Sequence, residues 1–194
     1  MEQKSLTINI GYYCHPVHSL GPGERFVIWT QGCNRHCFRC ASPELQSISN
    51  GKAIAIDELV NQMRQSQCTG LTVSGGEPLL QPQSLIRLLL NVRYNIPKWD
   101  IILFTGFMIN QIEQVLRVQL NQLVDLLIDG PYVDNLNDGI GLRGSSNQKL
   151  HFLSPRLLPY KQHLETGPRT ERQLILLSDN EMIAAGIQEP QLTY

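Results

Sequence analysis

Short apolar segments alternate with amphipathic segments between residues 25 and 129, and this alternation leaves few folds open to the chain. The segment Arg25–Thr30 is rich in β-branched and aromatic residues, which is typical of a buried strand. The same pattern predicts further strands at 71–74, 101–105 and 123–129. It also predicts helices at 57–67 and from Pro82 onward, and a third helix that opens over 110–116. Strands that alternate with helices of this length predict βαβ units, so we expect an α/β fold with a parallel sheet.

The length of the chain narrows this expectation. A complete eight-unit (βα) barrel typically needs about 250 residues, and this chain has 194. The chain is nevertheless long enough to bury a core without disulfides. We therefore predict a partial barrel or an open α/β sheet, forming a single domain with a C-terminal extension.

Polar or small residues follow each predicted strand. A cysteine-containing loop follows the first strand, Gly75-Gly76-Glu77-Pro78 the second, Thr105-Gly106 the third and Asp129-Gly130 the fourth. The carboxyl ends of parallel strands meet at one edge of a sheet, and α/β proteins bind their ligands there. The four loops therefore predict one site.

Cys33, Cys37 and Cys40 are spaced closely enough to bind one metal centre. Iron–sulfur clusters prefer thiolate ligands, and a cubane normally takes four. Three thiolates would leave one iron open to an exogenous molecule, which is a catalytic arrangement. Zinc held by three cysteines and a histidine, such as His36, is the alternative. The spacing favours a metal centre and leaves both metals open.

The remaining features exclude some functional classes. A net charge of -1 provides no field that would attract nucleic acid or an anionic membrane. The N-terminus lacks the apolar segment of a signal peptide, and no apolar run reaches the roughly 20 residues that span a bilayer. We therefore expect a soluble cytoplasmic protein. Cys14 and Cys68 stand apart and are not predicted to be ligands.

The motif Cys-x3-Cys-x2-Cys, followed by Ser74-Gly75-Gly76-Glu77-Pro78 after the second strand, resembles the radical S-adenosylmethionine (SAM) superfamily. Further stretches are similar to the activating proteins of anaerobic ribonucleotide reductase, and they occur in family order: Gly21–Arg25, Thr30–Cys33, Pro43–Glu44, Asp129–Tyr132 and Arg143–Gln148. The resemblance implies a small partial (βα) barrel of the radical SAM type over residues 1–155, with an extension over residues 156–194 packed on it.

The resemblance also implies the cofactors. Cys33, Cys37 and Cys40 would hold a [4Fe–4S] cluster, and the amine and carboxylate of SAM would chelate its open iron. A flavodoxin or ferredoxin would supply the electron. SAM cleavage would then give a 5′-deoxyadenosyl radical, which abstracts hydrogen from a glycine of a large glycyl-radical enzyme.

The same resemblance assigns roles to the other loops. Gly75, Gly76 and Glu77, with Pro78, would receive the methionyl amino group of SAM, and Thr105 would contact SAM. Asp129 would bind a ribose hydroxyl or line the path of the radical. Arg143 would bind a carboxylate through both of its terminal nitrogens.

Two departures from the family leave the partner open. Ala41-Ser42 stands where the family commonly has His-Asn, and the chain continues beyond the compact core with a predicted strand at 172–177. A radical SAM enzyme acting on a peptide or a small molecule is therefore the alternative function. A non-catalytic zinc-binding interaction module is the alternative from another class.

Overall fold

The computed structural model describes residues 6–178 and 181–190. The strands are β1 (Thr7–Val17), β2 (Arg25–Thr30), β3 (Lys52–Ala55), β4 (Gly70–Gly75), β5 (Asp100–Phe104), β6 (Leu126–Asp129), β7 (Lys149–Phe152), β8 (Gln173–Ser178) and β9 (Glu181–Ala185). The helices are α1 (Ile56–Gln65), α2 (Pro82–Asn95), α3 (Gln114–Leu123) and α4 (Lys161–Thr166). No helix among the described residues has the length and apolar character needed to cross a membrane.

Seven strands form one sheet in the order β3-β1-β2-β4-β5-β6-β7, and β8 pairs with β9 in a separate hairpin. The four strands predicted for the sheet, β2, β4, β5 and β6, are parallel to one another. The expectation of an α/β fold is confirmed, but the sheet as a whole is mixed. β1 and β7 run antiparallel to β2 and β6. The connection from β1 to β2 is short, and a short connection can join antiparallel but not parallel strands.

The helix predicted to open over residues 110–116 begins only near the end of that segment. A 3-10 turn spans Ile109–Gln111, and α3 begins only at Gln114. Between them Ile112 and Glu113 have extended backbone. The buried side chains of α3 are Leu120 and Leu123, so its anchoring contacts lie beyond the segment from which the helix was predicted.

The sheet carries an apolar core on each face. Alternate side chains of a strand point to opposite faces, and β2 follows this rule. Phe26 and Ile28 belong to the core that includes residues of α1, α2 and α3. Val27 and Trp29 belong to the second core, to which the C-terminal part of the chain contributes Leu157, Leu164, Ala185 and Ile187. Burial on both faces explains why β2 is apolar at nearly every position.

A buried arginine fixes the sheet at the amino ends of the central strands. Arg25 is fully buried and forms an ion pair with Asp100 at the start of β5. Its Nη2 donates to the carbonyl oxygen of Leu71 over 2.7 Å, and its Nε donates to Thr72 Oγ1 over 3.1 Å. These contacts join β2, β4 and β5, so the opposite edge of the sheet is left to the functional loops.

Candidate functional site

A cavity lies at the carboxyl ends of the parallel strands, and all four of the loops singled out in the sequence contribute to it. Cys33, Cys37 and Cys40 line it together with Gly75–Glu77, Thr105-Gly106 and Gly130. Leu20, Trp29 and Phe104 add apolar side chains to the same cavity. The structure therefore brings the cysteines together with most of the other residues predicted from the motifs.

Backbone hydrogen bonds close the entry and exit of the cysteine loop. The Gly32 N–H donates to Leu45 O over 2.8 Å, and the Cys33 N–H donates to Gln46 O over 3.0 Å. Gly32 has a φ of +95°, a conformation that glycine adopts readily. Within the loop His36 and Arg39 also have positive φ, 46° and 55°. The backbone thus turns repeatedly around the three thiols.

All three thiols of this loop are free and partly buried. Burial raises the pKa of the Cys33 thiol and of the Cys37 thiol above the ordinary value. A metal centre binds cysteine as the thiolate. Loading the site must therefore release protons, and the affinity for metal rises with pH.

The two glycines after β4 bring their loop into contact with the cysteine loop. The Gly76 N–H donates to Thr30 O over 2.7 Å, and the Glu77 N–H donates to Gly32 O over 2.8 Å. A Cβ atom at Gly75 would lie 2.3 Å from Thr30 N, and one at Gly76 would lie 2.3 Å from Gly32 O. The absence of side chains at these glycines therefore allows a close approach to the backbone before Cys33.

Glu77 is almost completely buried, and its carboxylate connects the ends of β4 and β5. Oε1 accepts hydrogen bonds from the Leu79 N–H over 2.9 Å and from Thr105 Oγ1 over 2.8 Å. Oε2 accepts from the Gly106 N–H over 2.7 Å. Burial raises the pKa of Glu77, although these three donors act in the opposite direction. The carboxylate caps a 3-10 turn, and it also lines the cavity.

Arg35 is a cavity residue that the motif analysis missed. Its guanidinium lies over the ring of Phe107, 4.6 Å from the ring centroid, and its side chain runs beside Gly106. It contributes the one lysine or arginine side chain among the described residues that line the cavity. The sequence feature that could have identified Arg35 is its positive charge inside the cysteine loop.

Three other predicted site residues do not line this cavity. Pro78 is the first residue of the 3-10 turn Pro78–Leu80 and is buried. Asp129 accepts a hydrogen bond from the Ile109 N–H at 2.6 Å, and its Oδ1 lies 3.1 Å from His151 Nε2, outside hydrogen-bond geometry. Arg143 donates to Asp138 over 2.6 Å. The polar side chains of Asp129 and Arg143 are therefore each hydrogen-bonded to a neighbouring residue of the protein.

Gln148 fixes the loop that completes the cavity after β6. Its Oε1 accepts hydrogen bonds from the Gly144 N–H over 2.7 Å and from the Ser145 N–H over 3.2 Å. Its Nε2 donates to Gly130 O over 2.7 Å. Gln148 and Tyr132 line the cavity beside the cysteine loop. The backbone of this loop is therefore held in place at the rim.

The donor set fits a thiolate-ligated cluster. Within residues 6–178 and 181–190, no group of three His, Cys, Asp or Glu side chains is arranged to hold a single metal ion. Three free thiols on one cavity wall, with His36 exposed to solvent, suit a thiolate-ligated cluster.

Comparison with known proteins gives consistent matches. Residues 19–151 match the family model described as a 4Fe-4S single cluster domain. The chain is 30% identical over 142 residues to the anaerobic ribonucleoside-triphosphate reductase-activating protein of Escherichia coli K12, covering 69% of this chain and 91% of that protein. It is 35% identical over 136 residues to the protein of the same name from phage T4, covering 67% and 85%. It is 37% identical over 94 residues to the pyruvate formate-lyase-activating enzyme of Staphylococcus aureus, covering 43% and 38%.

Proposed function

This chain belongs to the 4Fe-4S single cluster family, together with activating proteins of anaerobic ribonucleoside-triphosphate reductase, and on that premise we propose that it is a radical SAM activase. It cleaves SAM reductively and generates a glycyl radical on a partner enzyme such as an anaerobic ribonucleotide reductase. The observation that carries this proposal is the convergence of Cys33, Cys37 and Cys40 with the Gly75–Glu77 loop around one cavity.

The three cysteines are the proposed cluster ligands. A reduced [4Fe–4S] cluster held by these cysteines would supply the one electron needed to break the sulfonium C–S bond of SAM, giving methionine and the 5′-deoxyadenosyl radical that would take a hydrogen atom from glycine. A flavodoxin or a ferredoxin is the proposed electron donor. The protein itself contributes binding, orientation and exclusion of water.

Glu77 and the glycines before it fix the position of the cysteine loop relative to β4 and β5. The Gly76 and Glu77 N–H groups bond the strand end and the turn that precede Cys33. The Glu77 carboxylate holds Thr105 and Gly106 in turn. In the proposal, Gly75, Gly76, Glu77 and Thr105 form the side of the cavity that receives the methionyl amino group.

Arg35 is the proposed partner of the methionyl carboxylate. It is the cation that the cavity offers, and stacking on Phe107 orients its guanidinium. A guanidinium matches the geometry of a carboxylate and remains charged at every physiological pH. The roles predicted for Pro78, Asp129 and Arg143 remain predictions. In this structure Asp129 accepts from the Ile109 N–H and Arg143 donates to Asp138.

The wider architecture belongs to the same proposal. We interpret the run of parallel strands β2, β4, β5 and β6 as the partial barrel of a radical SAM enzyme. We also retain the division into a core over residues 1–155 and an extension over residues 156–194 packed on it. A cytoplasmic location, where low-potential flavodoxins or ferredoxins operate, completes the proposal.

The test is anaerobic reconstitution with iron and sulfide, followed by reduction in the presence of SAM and measurement of 5′-deoxyadenosine. We expect product from the parent protein and none from Cys37→Ala. Cys14→Ala is the matched control, since Cys14 is also partly buried but does not line the cavity. It should retain both cluster and product.

Addition of a candidate glycyl-radical enzyme then tests the partner. A glycyl radical signal in electron paramagnetic resonance, dependent on SAM and on Cys37, supports the activase function. SAM cleavage without any radical on such enzymes would favour a peptide or small-molecule substrate. No cleavage despite a complete and reducible cluster would refute the catalytic proposal.

A further inference from the structure

The C-terminal part of the chain contributes directly to the cavity of the cysteines. Gly186, Ile187 and Gln188 line it, although the family model ends at residue 151. These three residues, which we call the C-terminal wall, follow strand β9. One wall of the cavity is therefore formed by a segment that lies outside the residues matched by the family model.

The C-terminal wall continues an apolar layer on one face of the sheet. Ala185 and Ile187 are buried in the second core together with Val27, Trp29 and Ile128 of the sheet. Trp29 also lines the cavity. The same segment therefore covers the sheet face and borders the site, and without it these apolar side chains would lose part of their cover.

Hydrogen bonds from three separate parts of the chain hold the C-terminal wall in place. Gln188 O accepts from Arg169 Nη1 over 2.6 Å and from Asn137 Nδ2 over 2.8 Å. At the other end, Ala185 O accepts from Ser19 Oγ over 2.8 Å. Gly186 has a φ of +134°, and a Cβ atom there would lie 3.1 Å from the Cα and Cγ atoms of Arg172. The sharp turn into the cavity thus depends on this glycine.

We propose that the C-terminal wall encloses the cluster and SAM from the side of the second core, and that Arg169 holds it there. This inference rests on the proposed function, because it assumes a cluster on Cys33, Cys37 and Cys40. A radical reaction needs water and small oxidants to be kept out of the site. In this chain the extension supplies that enclosure within the same polypeptide.

Access of a chelator to the cluster measures the enclosure without requiring turnover. The reconstituted protein is mixed anaerobically with a water-soluble iron chelator, and loss of cluster absorbance is followed with time. In Arg169→Ala the backbone of Gln188 loses its charged donor, and Asn137 Oδ1 and Arg143 O lose theirs as well. We expect the bleaching rate to rise at least about tenfold, the change that corresponds to the loss of the charge-assisted hydrogen bond to Gln188 alone. Asn137→Ala removes the second donor to the same oxygen and should raise the rate less.

Arg156→Ala is the matched control. Arg156 Nη1 also donates to a backbone oxygen, that of Lys98, over 3.1 Å, but Lys98 precedes β5 at the edge of the sheet opposite the cavity, and Arg156 does not line the cavity. Its bleaching rate should equal that of the parent. Circular dichroism and iron content, measured first, confirm that each variant is folded and loaded; if Arg169→Ala does not load, Asn137→Ala decides the question.

The outcomes are distinct from those that test the proposed function. Faster bleaching in the Arg169 and Asn137 variants, with Arg156→Ala unchanged, supports the wall. Parental rates in both variants, or equal acceleration in Arg156→Ala, would overturn it. A parent protein that holds a cluster but never cleaves SAM would refute the activase function, while the comparison of bleaching rates would still report on the wall.

Discussion

Replacing Glu77 by glutamine should destabilise the protein, because the carboxylate accepts hydrogen bonds on both of its oxygens. The amide oxygen of glutamine can replace Oε1 and keep the bonds from Leu79 and Thr105. The amide nitrogen must then face the Gly106 N–H, which donates to Oε2 over 2.7 Å in the parent. Two donors would face each other at a site that is 1% exposed.

The expected cost follows from that geometry. A hydrogen bond to a charged group contributes about 1.5–3 kcal/mol, and a buried donor left without an acceptor costs about 1–3 kcal/mol. Removing a buried charge offsets part of this loss. We therefore expect Glu77→Gln to lower the free energy of unfolding of the metal-free protein by about 1–3 kcal/mol.

Urea denaturation followed by circular dichroism measures this difference. The matched control is Glu113→Gln at the start of α3, where the exposed side chain makes no capping hydrogen bond. That variant should remain within about 0.5 kcal/mol of the parent. Equal stability of the parent and Glu77→Gln would refute the assignment of the carboxylate as a clamp between β4 and β5.

The pH dependence of the difference in free energy of unfolding between the parent and Glu77→Gln gives an independent check. Burial raises the pKa of Glu77 above its ordinary value of 4.5. The folded state therefore binds this proton more readily than the unfolded chain, so the contribution of Glu77 is complete below pH 4.5 and falls as the pH rises through the raised pKa. A protonated carboxyl still accepts at its hydroxyl oxygen, which an amide nitrogen cannot do. The stability difference between parent and Glu77→Gln should therefore narrow towards neutral pH, and a widening difference would contradict this account.

Three further predictions follow from the site and from the opposite edge of the sheet. Gly76→Ala places a Cβ atom 2.3 Å from Gly32 O, so the cysteine loop must shift. The iron and sulfide content after reconstitution should fall well below the parental value, and a normal content would contradict the importance of this contact. Arg35→Ala should weaken anaerobic binding of SAM to the cluster-loaded protein about tenfold, more than Arg143→Ala does. The reverse order would indicate that Arg143 binds the methionyl carboxylate of SAM. Asp100→Asn leaves the buried arginine of β2 without its charged partner and should lower the free energy of unfolding by about 3 kcal/mol; a loss below 1 kcal/mol in urea denaturation would refute the importance of the pair.

Several elements followed directly from local sequence patterns. β2 has the bounds predicted for it. All six of its residues are buried because both faces of the sheet are covered, and its apolar residues, Phe26–Trp29, are consecutive. α2 begins at Pro82 as predicted, because proline suits the first turn of a helix. The family resemblance seen in the cysteine motif and in Gly75–Pro78 is confirmed by the match over residues 19–151.

Antiparallel strands β1, β3 and β7 were not predicted as members of the sheet. β3 and β7 have only four residues each, and so short a segment gives little periodicity. Their strand conformation depends on pairing with β1 and β6, which are distant in the sequence. The misplaced third helix has a similar cause, since Leu120 and Leu123 anchor α3 through tertiary burial.

The sequence by itself determined which residues could bind a metal centre, and the motifs that carry the family resemblance, because ligand type and spacing are local properties. Three cysteines within eight residues and two glycines before Glu77 are legible without any fold. Only the tertiary structure decided which side chains share the cavity. It placed Arg35 there and Arg143 with Asp138, and it brought Gly186–Gln188 to the wall of the site. Those placements depend on contacts between residues far apart in the chain, such as Arg169 with Gln188 and Ser19 with Ala185, and no local pattern records them.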